Sequence, residues 1–186
     1  MRHAFMEAVA ERLAGAGVAS FRYNFPYTEA GRGAPNPAPV LMKTVRSAVA
    51  EAARLAPGLP LFAGGKSMGG RMTSLAAAEE PLPGVRGLAF FGFPLHAPGR
   101  ASAARGAHLT DVRLPMLFLQ GTRDKLADLD LLRPPLAGVR PPPSLHVVEG
   151  ADHGFHVPKR SGRTDDDVLD ELCATLATWS EDVARG

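Results

Sequence analysis

Short apolar runs alternate with helical stripes along this chain, and that alternation narrows the fold more than any other feature. Phe5, Val9 and Leu13 recur every four residues, so residues 3–15 read as a helix with one buried face, stopped near Gly17. Leu41, Val45, Ala48, Val49, Ala52 and Leu55 trace a second stripe, with Lys43, Arg46 and Arg54 opposite and Pro57-Gly58 behind. Met72, Leu75 and Ala76 suit a third helix. Val168, Leu172, Leu176, Trp179 and Val183 mark a last one, whose amino end carries three aspartates at 165–167. Between them, residues 18–25, 61–63, 85–91, 116–119 and 145–148 read as short strands. Residues 27–39 are rich in Gly and Pro and read as loop. Strands and helices in turn imply a mostly parallel sheet covered on both faces, a three-layer α/β/α sandwich with about five strands. At 186 residues the chain reads as one domain, 1–186.

Composition excludes several classes. Hydrophobic residues make up 45% and charged residues 22%, an ordinary balance for a packed core. Net charge is only +2, and Lys159-Arg160 reads as a solvated loop, so no nucleic-acid partner is expected. No apolar stretch approaches membrane-spanning length. Glu7, Glu11 and Arg12 interrupt the apolar residues near the amino terminus, which argues against a signal-peptide core. The lone cysteine, Cys173, has no internal disulfide partner and no zinc-type neighbours. A soluble, cytoplasmic protein is expected.

Gly65-Lys66-Ser67-Met68-Gly69 has the form G-x-S-x-G and lies between an apolar strand and a helical stretch. In that context the turn lifts a strained serine to the carboxyl edge of a sheet. Small residues two before and two after the serine are expected to avoid clashes. The Met68 N–H is expected to face developing negative charge on a substrate oxygen. A glycine-rich turn with an incidental serine fits the pattern equally well. A phosphate loop fits less well, because position 60, where a Walker A loop needs glycine, is proline.

A serine hydroxyl needs a base, most often histidine held in one tautomer by a carboxylate. The strand at 116–119 runs into Gln120-Gly121-Thr122-Arg123-Asp124. The strand at 145–148 runs into Glu149-Gly150-Ala151-Asp152-His153. Asp124 and His153 therefore follow strand ends, where open parallel sheets place their ligands. Asp124 could instead cap the next helix, and Asp128 and Asp130 compete with it. His153 is preferred to His156 on position. His3, His96, His108 and His146 read as structural or exposed, although His96 could line a pocket.

The segments AGGKSMGGRMTS, FLQGTRD and GADHGFHV together resemble the α/β-hydrolase superfamily near the dienelactone hydrolases. They resemble in particular a branch with bacterial members and eukaryotic testis-expressed and chromatin-complex relatives. RYNFPY and FFGFPLHAPG fit the same branch. The resemblance implies Ser67, Asp124 and His153 as a catalytic triad, with acyl transfer to water from an ester or related acyl compound; that the compound is small and soluble is expected from the short connection 92–114. It calls for no metal or organic cofactor. Dienelactone hydrolases proper carry cysteine where Ser67 stands, so their particular reaction is not carried over. Members usually begin with a strand and a glycine-rich loop that supplies a second oxyanion N–H. This chain opens directly on the first helix. A gap is therefore expected between the strand at 18–25 and that at 61–63, and the natural chain is expected to extend upstream. An interaction protein that kept the fold but lost most activity is the alternative. The connection 92–114, with Pro94, Pro98 and Gly99, is too short for a large lid and reads as an irregular flap.

Overall fold

A computed structural model of the chain describes residues 3–97 and 99–186, so Pro98 lies outside the described residues. The first helix, α1 (Ala4–Gly15), buries Val9 and Leu13 as the four-residue spacing requires. After a short turn of helix, α2 (Pro26–Glu29), comes α3 (Ala38–Leu55), which buries Leu41, Val45, Ala48 and Val49. Four strands follow, β1 (Leu61–Lys66), β2 (Val85–Phe91), β3 (Met116–Gly121) and β4 (Ser144–Val148). Between them lie α4 (Met68–Glu79), a 3-10 helix (Ala104–Asp111) and α5 (Leu129–Ala137). The last helix, α6 (Asp165–Arg185), closes the chain. Thr164 caps α6 by accepting from the Asp167 N–H, while the Asp167 side chain accepts from the Thr164 N–H, a reciprocal capping box.

The sheet is parallel throughout, in the order β1-β2-β3-β4. Each right-handed crossover between successive strands steps the same way, which sends its helix to the same face. That face holds one core cluster, with Val45 of α3, Met72 of α4, Phe90, Phe118 and Leu132. Phe90, Phe93 and Phe118 pack ring to ring there, with centroids 4.8–5.6 Å apart. The opposite face is covered by α1 and α6, whose Val9, Leu13, Val168 and Leu172 meet Phe91, Leu117 and Leu119. Three layers result, as expected from the sequence. Among the described residues no helix is long and apolar enough to cross a membrane.

The expectation of five strands is corrected to four. Residues 18–25 form no strand, and β1 pairs only with β2. A strand exists only where a neighbour completes its ladder, and the apolar alternation here serves side-chain packing instead. Tyr23 and Phe25 meet edge to face at 5.7 Å and pack against the first cluster. The anticipated gap is present as a cavity of about 570 Å³ whose lining includes Val18, Phe21, Tyr23, Leu61, Phe62 and Ala63. The remaining strands therefore do not close up across it. Burial pushes the Tyr23 phenol up to about 12, offset in part by its hydrogen bond with Thr73.

The flap expectation also needs revision. Part of 92–114 is ordered as the 3-10 helix, and Leu109 is fully buried against the first cluster.

Candidate active site

Because all four strands run the same way, their carboxyl ends share one edge, and three loops there meet. The first is the turn between β1 and α4. Ser67 has φ 51° and ψ −119°, a conformation that costs a non-glycine residue about 1–3 kcal/mol. The surrounding bonds hold it. The Ser67 N–H donates to the Phe91 carbonyl at 3.0 Å, and the Arg71 N–H donates to the Ser67 carbonyl at 3.1 Å. Met68 is the first residue of α4, so its N–H is among the amino-terminal donors that have no partner within a helix.

The glycines are used differently from expectation. A Cβ on Gly65 would lie 3.3 Å from Gly69 and Gly70 backbone atoms, so the residue two before the serine is indeed constrained. A Cβ on Gly69 would meet nothing within 4 Å. The tight position is Gly70, where a Cβ would sit 2.7 Å from the Gly65 carbonyl oxygen and 3.0 Å from the Phe90 ring. Helix α4 thus crosses close over β1 one residue later than the motif alone suggests.

The second and third loops carry Asp124, just past β3, and His153, just past β4. His153 Nε2 lies 2.8 Å from Ser67 Oγ, and its Nδ1 lies 2.8 Å from Asp124 Oδ2. An ionised carboxylate only accepts, so Nδ1 carries the proton and the Nε2 lone pair faces the serine hydroxyl. The Asp124 side chain is fully buried, whereas that of His153 is 25% exposed. A buried carboxylate requires donors. Asp124 Oδ2 also accepts from Gln120 Nε2 at 2.6 Å, and Oδ1 accepts from the Leu126 N–H at 2.8 Å. Gln120, itself fully buried, is fixed in turn because its Oε1 accepts from the Phe93 N–H at 3.0 Å.

Close approach of the Asp124 and His153 loops depends on Gly121. A Cβ there would lie 2.3 Å from the Ala151 carbonyl oxygen, a backbone atom that already accepts from the Arg123 N–H at 2.8 Å. Gly121→Ala is expected to lower stability by about 1–3 kcal/mol in urea unfolding, through overpacking that drives the two loops apart. The same variant should lose activity, since relay geometry tolerates little displacement. An unchanged denaturation midpoint would show that the contact yields without cost.

The loop bearing His153 is tied by Asp152, which the sequence reading did not single out. Asp152 Oδ1 accepts from the Gly154 and His156 N–H groups at 2.7 and 3.0 Å. Its own N–H donates to the His156 carbonyl at 3.1 Å. Phe155 follows at φ 66°, so the two positive-φ non-glycine residues among those described both belong to these loops.

The competing residues lie elsewhere. Asp128 caps α5 by accepting from the Asp130 N–H, and Asp130 lies in the first turn of that helix. His156 pairs with Asp165 at 2.8 Å, which raises its pKa, and His146 meets Glu171 at 2.6 Å. His108 contacts Ser74 Oγ at 2.8 Å, and burial, with Arg71 nearby, pushes it down to about 4. His96 is buried, and its Nε2 accepts from the Asp128 N–H at 3.2 Å, so it braces a loop.

A parallel sheet with two helical layers and a Ser–His–Asp arrangement at its carboxyl edge defines the α/β-hydrolase class. The chain belongs to that family: the profile described as alpha/beta hydrolase domain matches residues 1–181. Solved structures of low sequence identity share the fold. A dienelactone hydrolase from Anabaena variabilis is 20% identical with a TM-score of 0.73, over 96% of this chain and 78% of its own. A lidless α/β serine hydrolase from Xanthomonas campestris is 22% identical with a TM-score of 0.72, over 96% and 75%. Est1E from Butyrivibrio proteoclasticus is 15% identical with a TM-score of 0.69, over 100% and 84%.

Proposed function

We propose that this protein is a serine hydrolase that cleaves small soluble esters, or related acyl compounds, through an acyl-enzyme. The observation that carries the reading is the unbroken Asp124–His153–Ser67 series, with both contacts at 2.8 Å. Ser67 Oγ attacks the carbonyl carbon as His153 Nε2 takes its proton. Asp124 holds the imidazole in the tautomer that can accept and stabilises the imidazolium that forms. Negative charge gathers on the former carbonyl oxygen, where the Met68 N–H donates to it. His153 then returns the proton to the leaving alcohol as the carbon–oxygen bond breaks. A water molecule repeats the sequence on the acyl-serine, releasing the acid and restoring Ser67.

The substrate class is proposed from the setting of the site. The segment between β2 and β3 packs on the first core cluster through Leu109, and among the described residues it forms no separate lid over a long acyl chain. Among similar folds, one is named a serine hydrolase without a lid, and one of the Est1E structures holds ferulic acid. A cytoplasmic setting is part of the proposal, in keeping with the single buried free thiol, Cys173. Hydrolysis of p-nitrophenyl acetate, butyrate and palmitate tests the class. The acetate or butyrate ester is expected to give the highest kcat/KM. Preference for palmitate would contradict the small-substrate reading.

A further inference from the structure

Lys66 stands between Gly65 and Ser67, at a position the hydrolase motif leaves open to any residue. Its side chain is half-buried and turns toward Phe5 and Phe155 of the second core cluster. Nζ lies 4.3 Å from the Phe5 ring centroid and 4.9 Å from that of Phe155. Those rings stack at 5.9 Å, and Phe5 also meets Phe91 edge to face at 5.7 Å. Nζ donates to the backbone carbonyl of His153 at 2.8 Å. One ammonium therefore touches α1 through Phe5, the base loop through Phe155, and the backbone of the base itself.

We propose that Lys66 is a positioning residue for His153, its ammonium bolting the nucleophile strand to the loop that carries the base. This inference rests on the hydrolase reading. The geometric reason is direct. The imidazole must reach Ser67 Oγ and Asp124 Oδ2 together, and its ring packs on the backbone of Gly92, where a Cβ would lie 3.3 Å from two ring atoms. Gly92 and Asp124 locate the ring from two sides. Lys66 holds the main chain from which the ring hangs. It does so with a charge-assisted hydrogen bond, stronger than a neutral one, and with cation–π contact to both rings.

Keeping this charge inside the protein has a cost. Burial pulls the Lys66 ammonium down to about 8, opposed by attraction to Asp124 and Asp152. Folding therefore favours the neutral amine. The stability Lys66 contributes through linkage is present at high pH and is lost as pH falls through about 8. A methionine would fill the same apolar space without that penalty. Lys66→Met should thus weaken the reaction without weakening the fold. The groups facing the ammonium are Asp124, Asp152, the His153 carbonyl and the two rings.

The test compares wild type with Lys66→Met by short-ester kinetics, thermal melting and amide hydrogen exchange. At pH 6.5 the variant is expected to melt at the wild-type temperature or above it. Its KM should stay within about twofold, while kcat falls on the order of ten- to a hundredfold, as loss of reactive geometry predicts. The Gly154 and His156 amides should lose protection in the variant. Unchanged kcat with unchanged protection would overturn the proposal. If Lys66→Met does not fold, Lys66→Gln decides: loss of the charged contact to the His153 carbonyl should lower both kcat and loop protection, and wild-type values of both would overturn the proposal. Absence of esterase activity from wild type sinks the hydrolase reading separately, because the exchange experiment needs no turnover.

Discussion

Ser67→Ala is expected to lower kcat on short p-nitrophenyl esters by a factor on the order of 10⁴ or more, leaving KM nearly unchanged. Only the hydroxyl is removed, and none of the contacts that hold the fold depends on it. Among the described residues its hydrogen-bond partner is His153 Nε2, on a partly exposed ring that water can satisfy. Ser67→Gly sharpens the point. At φ 51° a glycine escapes the strain that serine or alanine carries. That variant is therefore expected to be equally inactive yet more stable, by about 1 kcal/mol in denaturant unfolding. A residue whose removal stabilises the fold and abolishes activity is one the fold holds at a disadvantage. If both variants kept wild-type turnover, Ser67 would be an incidental serine in a glycine-rich turn.

Asp124→Asn is expected to reduce kcat by about 10⁴-fold, with geometry intact. The hydrogen bonds explain why so conservative a change should matter. Oδ2 accepts from both His153 Nδ1 and Gln120 Nε2, while Oδ1 accepts from the Leu126 N–H. Both oxygens of this carboxylate hold donors. An asparagine must put its own NH2 group toward one of them. Facing Leu126, it sets two donors against each other. Facing His153, it meets the Gln120 amide, which cannot flip cheaply because Phe93 holds its carbonyl. It also makes Nδ1 the acceptor, moving the proton to Nε2, where it blocks transfer from Ser67. Either placement leaves a buried donor unsatisfied, so a loss of about 1–3 kcal/mol in stability should accompany the loss of rate. Asp128→Asn serves as the comparison. It removes the charge from the α5 cap, and asparagine still caps well, so little change in rate or stability is expected.

Much of this architecture was legible before any coordinates. Val9 and Leu13, or Leu41 and Val45, fall on single helix faces, and their spacing alone says so. That Ser67, Asp124 and His153 would meet was legible because each follows a short apolar run, and parallel strands must end at one edge. The residues that stayed hidden act across distances the sequence does not encode. Gln120 looks like one more polar residue at a strand end. Only the fold reveals that its amide lies between Phe93 and the acid. Nothing in the sequence signals the place of Lys66 beside Phe5 and Phe155, which depends on α1 packing over the sheet face. Residues 18–25 misled for a related reason. Phe21, Tyr23 and Phe25 alternate as a strand would, but alternation reports a half-buried face and says nothing about a ladder partner. Gly69 and Gly70 exchanged roles because the helix crossing point, and not the motif, sets which residue lacks room for a Cβ.

The proposed chemistry depends most on Ser67 being a nucleophile whose proton His153 removes. Treating the folded protein with a fluorophosphonate and mapping the adduct by peptide mass spectrometry tests this directly. The expected result is one stoichiometric adduct on Ser67, absent from Ser67→Ala and strongly slowed in His153→Ala. No adduct on the folded protein, or one that persists at the same rate in either variant, would contradict it.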